Sequence, residues 1–308
     1  MKSRRQILWG MLGGMVLAGL TACSGDDATD VPNDDGVKVR RITITQTEAA
    51  AQQAPTRASL TEDDGLTASW TAGDALTYCN LSRVDYGNNE APYSGGLTAA
   101  STAAASQFTG DVACRADDYL AVVYPATTFE YNDRYTISLT GQDGTLNTLA
   151  TNYHYVFGKA TVTAVTGATA TATMEKMKSL LTVCKFSFVD KDGGAAIPVK
   201  TLGISYGGSG SDNGTYPPTA TVSLKDADGV SLDQADVHAT GATGTGALTV
   251  TCSTAQDAVY VALLPTAAAR TFSFSVSDGS GNSYTGTAKA TLTEGEYVAA
   301  EGLKLTKQ

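Results

Sequence analysis

Histidine is nearly absent: His154 and His238 are the only two in 308 residues. That leaves little material for imidazole acid–base chemistry or for a histidine-ligated metal. No CxxC pair occurs, and no cysteine stands at zinc-ligand spacing from a histidine, so a zinc site is not expected. Basic clusters are missing too. Lys and Arg total 21 against 31 Asp and Glu, a formal charge of −10, which argues against a nucleic-acid partner. The glycine-rich run at 207–214 lacks the Lys-Ser/Thr of a phosphate loop. Asp190-Lys191-Asp192-Gly193 and Asp226-Ala227-Asp228-Gly229 lack the further ligands of a calcium loop and read as turns. Gly203-Ile204-Ser205-Tyr206-Gly207 has the G-x-S-x-G form, with acids and His238 following. A nucleophile elbow needs a strand-to-helix turn, and Gly208-Ser209-Gly210-Ser211 starts a helix poorly. No enzyme and no cofactor are expected.

The one long apolar run lies at the start. Lys2, Arg4 and Arg5 precede an apolar stretch from Ile7 to Ala22, the charged and hydrophobic regions of a secretory signal, too short and glycine-rich for a membrane span. Its end, Leu20-Thr21-Ala22-Cys23, resembles a bacterial lipobox, in which the cysteine is acylated and becomes the first residue. The alternative is an ordinary signal peptide with a chance cysteine. Acyl chains on Cys23 would anchor the protein at about 0.8 kcal/mol per buried methylene. Asp26 and Asp27 follow in a solvated spacer that resembles the acidic signal sending some lipoproteins to the outer face of the outer membrane. Removing the signal leaves 286 of 308 residues, enough for two domains, and loss of its three cations takes the charge from −10 to −13.

Abundant Thr, Ser, Ala, Val and Gly favour strands and turns over helices. From Val37 to Thr45, Val39, Arg41, Thr43 and Thr45 share one face, with Lys38, Arg40, Ile42 and Ile44 on the other. An Ala/Gln/Pro linker follows from Glu48 to Thr56, closed by Arg57 and Ala58. Strands are expected at Leu66–Trp70, Ala75–Cys79, Gln107–Gly110, Asp118–Tyr124, Tyr135–Thr140, Ala160–Val165 and Leu181–Val189. Further ones are expected at Thr201–Tyr206, Thr219–Leu224, Leu248–Cys252, Tyr260–Leu264, Thr271–Val276, Ser283–Leu292 and Leu303–Leu305. Thr166–Thr173 is the expected passage between domains, and Met174–Leu180 is either a short helix or the lead into a strand. Short strands with frequent turns and no long helical period indicate β-sandwiches. Cys79, Cys114, Cys184 and Cys252 either form disulfides, which an exported chain permits, or stay as buried thiols. Period two places Cys184 with Phe186 and Phe188, and Cys252 with Leu248 and Val250, on core faces.

The order of these features resembles the fimbrillin family, the subunits of type V pili. The residues that carry the likeness are the lipobox at Cys23, Thr56-Arg57-Ala58, Trp70-Thr71-Ala72-Gly73-Asp74-Ala75-Leu76, Tyr124-Pro125, Leu181–Phe188, and Gly286–Leu292 with Glu294-Gly295-Glu296-Tyr297. The resemblance implies an all-β chain of two tandem transthyretin-like β-sandwich domains. Its parts would be a lipoprotein signal peptide at 1–22, a tether and pro-segment with the first strand at 23–57, an N-terminal sandwich at 58–172 and a C-terminal one at 173–308. It implies export to the outer membrane and cell surface, then cleavage between Arg57 and Ala58 by an arginine-specific protease. A neighbouring subunit's strand would replace the lost first strand in a head-to-tail fimbrium serving adhesion to a host or bacterial surface ligand. Cutting there would leave 251 of 308 residues with charge −11. Arg40 and Arg41 are rival cleavage points, but they lie inside the expected strand, where the backbone is hydrogen-bonded. The alternatives are an uncut anchor subunit, with Arg57 a plain surface arginine, or a non-polymerising surface lipoprotein that binds glycans. A sugar platform would use exposed aromatics, either Trp70 or a solvent-facing row of Tyr131, Tyr135, Tyr153 and Tyr155. Trp70 alternates with Ala68, which favours the core instead.

Overall fold

The computed structural model describes residues 37–46, 59–62, 66–83, 93–130, 134–175, 177–209, 211–225, 231–239 and 246–308. Cys23, Arg57, Ala58, Tyr131 and the turn at 226–229 lie outside them. The chain is all-β, built on two large sheets.

The alternating segment at 37–45 forms β1 (Lys38–Gln46). A small hairpin follows, β2 (Ser59–Glu62) and β3 (Leu66–Ser69), then β4 (Ala75–Asn80), β5 (Ser94–Ala99), β6 (Gln107–Cys114) and β7 (Tyr119–Tyr124). β7 stops at Pro125, which has no N–H to give a ladder. β8 (Arg134–Ser138) stands apart. A helical turn, Leu146–Thr148, capped by the Thr145 hydroxyl, runs on through Leu149–Tyr153. β9 (Val156–Thr166), β10 (Thr169–Met174) and the short β11 (Lys178–Ser179) complete this half.

These strands pair in the order β1–β6–β5–β4–β7–β9–β10, and β10 pairs back onto β1. The sheet is therefore a closed seven-stranded barrel, with no free edge while β1 is in place. Every pairing in it is antiparallel except β1 with β10. Period-two alternation fills the interior with Ile42, Ile44, Leu76, Leu97, Phe108, Val112, Leu120, Val122, Val156, Val162, Ala172 and Met174 around Trp70. Gly110 of β6 has to be glycine, because a Cβ there would lie 2.4 Å from the Gly96 carbonyl of β5.

The second sheet begins at β12 (Thr182–Asp190). It continues with β13 (Ala196–Ile197), β14 (Val199–Tyr206), β15 (Thr219–Lys225), β16 (Ser231–Ala239), β17 (Leu248–Gln256), β18 (Val259–Leu263), β19 (Arg270–Ser277), β20 (Ser283–Ala290) and β21 (Tyr297–Lys307). Its order is β13-β12-β21-β20-β19-β14-β17, with β18 also on β12 and with β12–β21 as its one parallel pair. Phe186, Phe188 and Phe274 interlock in its core, with ring centres 5.3–6.3 Å apart. β15 and β16 instead form a three-stranded sheet with β8.

Three details refine the sequence reading. The Thr/Ala-rich passage 166–173 is the tight turn at Gly167 plus β10, a full barrel strand. Of the two readings for the segment after it, the structure has the lead into a strand, with the short β11 in it. β5 lies in a glycine-rich stretch where composition pointed to no strand.

Candidate interaction site

β1 forms because Ile42, Thr43, Ile44 and Thr45 are β-branched and alternate cleanly, and because a vacant place in a barrel pairs both of its edges. It is antiparallel to β6 from Lys38↔Cys114 to Thr45↔Gln107, and parallel to β10 from Arg41↔Thr169 to Gln46↔Met174. No turn joins it to either neighbour. The inward face is Arg40, Ile42, Ile44 and Gln46, all buried; the outward face is Val39, Arg41, Thr43 and Thr45. Burying the two isoleucines contributes about 3–6 kcal/mol. Outside, Arg41 makes an exposed ion pair with Asp111 at 3.5 Å, which adds little.

The first inward residue is unusual. Arg40 is 1% exposed, and its guanidinium donates to the Cys114 carbonyl and, at 3.3 Å, to the Lys38 carbonyl. It also reaches the Cys114 sulfur, whose pKa is raised by burial while Arg40 pulls it the other way. The end of β6 beneath it is rigidly held. Asp118 is buried and accepts from Arg83 Nη2 at 2.6 Å, Asn80 Nδ2 at 2.8 Å and the Arg115 amide at 3.1 Å. Asn80 also donates to the Ala113 carbonyl at 2.9 Å, and the Ala113 amide donates to the Tyr78 hydroxyl at 3.1 Å.

The β2–β3 hairpin ties this half to the second sheet. Glu62 accepts from Lys185 Nζ of β12 at 2.9 Å, the Tyr297 hydroxyl of β21 at 2.5 Å and the Tyr260 hydroxyl of β18. Lys185 in turn pairs with Glu301 at 3.1 Å. Hydrogen bonds from Tyr260, Tyr297 and Lys185 hold the Glu62 carboxyl down at about 2. Because the folded pKa lies below the ordinary 4.5, this stabilisation is complete above about pH 4.5 and is lost as pH falls toward 2. Glu62→Gln is therefore expected to cost about 1–2 kcal/mol at neutral pH, after allowance for solvent at the site. The gap from wild type should close on acidification, as read by thermal unfolding across pH; a gap independent of pH would refute this role for the carboxylate.

The remaining candidates sort plainly. Cys79, Cys114, Cys184 and Cys252 are all buried free thiols. Trp70 is fully buried, edge-on to Phe108 and Tyr124. Tyr135 and Tyr153 are buried, and the Tyr155 hydroxyl contacts the backbone of Ser138, so these three make no solvent-facing row. His154 is buried. Ser205 lies within β14, opposite Ser273, with no helix following it among the described residues. Asp190 closes a turn, its side chain accepting the Asp192 amide at 2.9 Å.

No protein-family model matches the sequence, and no curated protein matches it either. The chain is similar to solved structures. One is a Bacteroides uniformis protein with a provisional cell-adhesion name, 16% identical, with a TM-score of 0.51 over 90% of this chain and 98% of that one. A Bacteroides ovatus protein with the same provisional name is 12% identical, with a TM-score of 0.48 over 88% and 96%. The shaft pilin SpaA of Lactobacillus rhamnosus GG is 11% identical, with a TM-score of 0.31 over 88% and 98%.

Proposed function

We propose that this chain is a fimbrillin-like structural subunit of a surface pilus, exported as a lipoprotein on Cys23 and serving adhesion. Cleavage after Arg57 would free β1, and a neighbouring subunit's strand would take its place. The observation that carries this reading is β1 itself: it makes the one parallel pairing of an otherwise antiparallel barrel and is joined by a turn to neither neighbour. Its departure would leave the backbone of β6 and β10 unpaired along facing edges, above a strip of core lined by Phe108, Val112, Ala170 and Ala172. A second chain's strand would restore both ladders, and head-to-tail contacts that do not close into a ring make a filament. The fold shared with the Bacteroides uniformis protein agrees with a surface role. The role is structural rather than enzymatic.

The test is mass spectrometry of the protein on, and shed from, the cell surface. An N-terminus at Ala58 in high-mass polymers is the expected result. An acylated Cys23 with Arg57 intact on a monomer would overturn the polymerising subunit in favour of an anchor or a glycan-binding lipoprotein.

A further inference from the structure

The strand that fills the barrel is not its best occupant. Along the inward face of β1, the two isoleucine positions are well matched, and the Arg40 position is matched through Nη1 while its buried Nε makes no hydrogen bond among the described residues. Ile42 and Ile44 are fully buried among apolar side chains, and the Arg40 guanidinium meets the carbonyl at the end of β6. The fourth position is Gln46. It is 4% exposed, opposite Met174 of β10, and neither the oxygen nor the nitrogen of its amide has a hydrogen-bond partner among the described residues. A buried amide without partners opposes folding, whereas an apolar side chain of similar volume would be favoured at that place.

Resting on the strand-replacement reading above, we propose that the groove between β6 and β10 selects a partner strand by its inward residues at alternate positions. The first is a cationic donor, the next two are aliphatic, and the fourth is aliphatic where β1 carries the Gln46 amide. The partner is an extended segment of another subunit, lying antiparallel to β6 and parallel to β10. The Arg40 position sets its register: Cys114 is the last residue of β6, and its carbonyl offers an acceptor that an aliphatic side chain leaves unsatisfied and a carboxylate repels. Asp118, which also acts on the Cys114 thiol, adds to that repulsion. The Gln46 position gives exchange its direction, since a strand with an apolar residue there gains what β1 forgoes. β1 is thus a resident plug that fits well enough to close the barrel and poorly enough to be displaced.

The test uses the full exported chain carrying a specific protease site within 47–58. After the cut, β1 is held without a covalent link, and fluorescent peptides of the Lys38–Gln46 sequence compete with it. The peptide with Gln46→Leu is expected to bind at least tenfold tighter than the unchanged peptide, and the peptide with Arg40→Leu at least tenfold weaker. In the uncut protein, Gln46→Leu is expected to raise the thermal midpoint and slow peptide entry. Equal or weaker binding of the Gln46→Leu peptide, or indifference to Arg40→Leu, would overturn the proposal. The two readings fail separately. Peptide preference with only intact monomers on cells sinks the pilus and leaves the groove's selectivity. Polymers beginning at Ala58 with no peptide preference sink the selectivity alone.

Discussion

Ile44→Asp is expected to expel β1 from the barrel and expose Cys114 to solvent. Ile44 is fully buried, opposite Phe108 of β6, and a carboxylate there would have no partner. Only Ile42 then contributes apolar burial, about 1.5–3 kcal/mol, and the cost of burying an unpaired charge, several kcal/mol, outweighs it, so the strand leaves rather than carry it. Its departure removes Arg40 from the end of β6 and opens the interior, where the Cys114 thiol lies. A thiol reagent in native buffer should modify Cys114 at least a hundredfold faster than in the wild type. Cys79, Cys184 and Cys252 belong to the other buried cluster and should stay protected, which shows that the rest of the chain remains folded. Ile44→Val, a loss of about 0.5–1.5 kcal/mol, should keep β1 seated and Cys114 unreactive. Protection of Cys114 in Ile44→Asp would mean that β1 is not a separable element.

Trp70→Ala is expected to destabilise the barrel by about 3–5 kcal/mol, read by denaturant unfolding. The ring is fully buried, with centres 4.9 Å from Phe108 and 5.5 Å from Tyr124, both edge-on. Trp70→Phe should cost much less than its volume suggests. The indole nitrogen has no hydrogen-bond acceptor among the described residues, so the phenyl ring sheds an unsatisfied donor along with the lost contacts. A sugar platform would show the opposite pattern, a loss of glycan binding at unchanged stability. That outcome would contradict the burial of Trp70 and revive the glycan-binding alternative.

Where period-two alternation was strong, the sequence was readable. β1, β7, β12 and β19 appear where apolar residues alternate or run together, and the faces expected for Ile42 and Ile44 are the ones observed. β10 was missed because its inward residues are Ala170 and Ala172, whose small side chains give little periodic signal. β5 was hidden by Gly95 and Gly96, the first of which lies against the Tyr78 ring. The pairing of β8 with β15 joins segments some 85 positions apart, and nothing local marks it. The site was legible only in part. Alternation put Arg40 on the face of Ile42 and Ile44, but that the barrel would bury a guanidinium, or leave the Gln46 amide unmatched, depends on neighbours distant in sequence. Glu62 sits in Thr61-Glu62-Asp63-Asp64-Gly65, which reads as a solvated turn; its partners Lys185, Tyr260 and Tyr297 come from three remote strands.

The parallel seam also sets the order of events as the chain folds. Each β1–β10 pair joins residues 128 positions apart, as in Arg41 with Thr169, while β5 pairs with β6, and β9 with β10, through much shorter hairpins. Loop-closure entropy makes such distant contacts late ones, because their cost precedes their reward. The six other barrel strands can therefore associate before β1 arrives, so a folding molecule passes through an interval with its groove open. During that interval the tethered β1 competes only through its local concentration against any rival strand nearby. Under the proposed strand replacement, whether a molecule closes on itself or captures a neighbour becomes a race, decided by the length of the 47–58 segment and the concentration of rival strands.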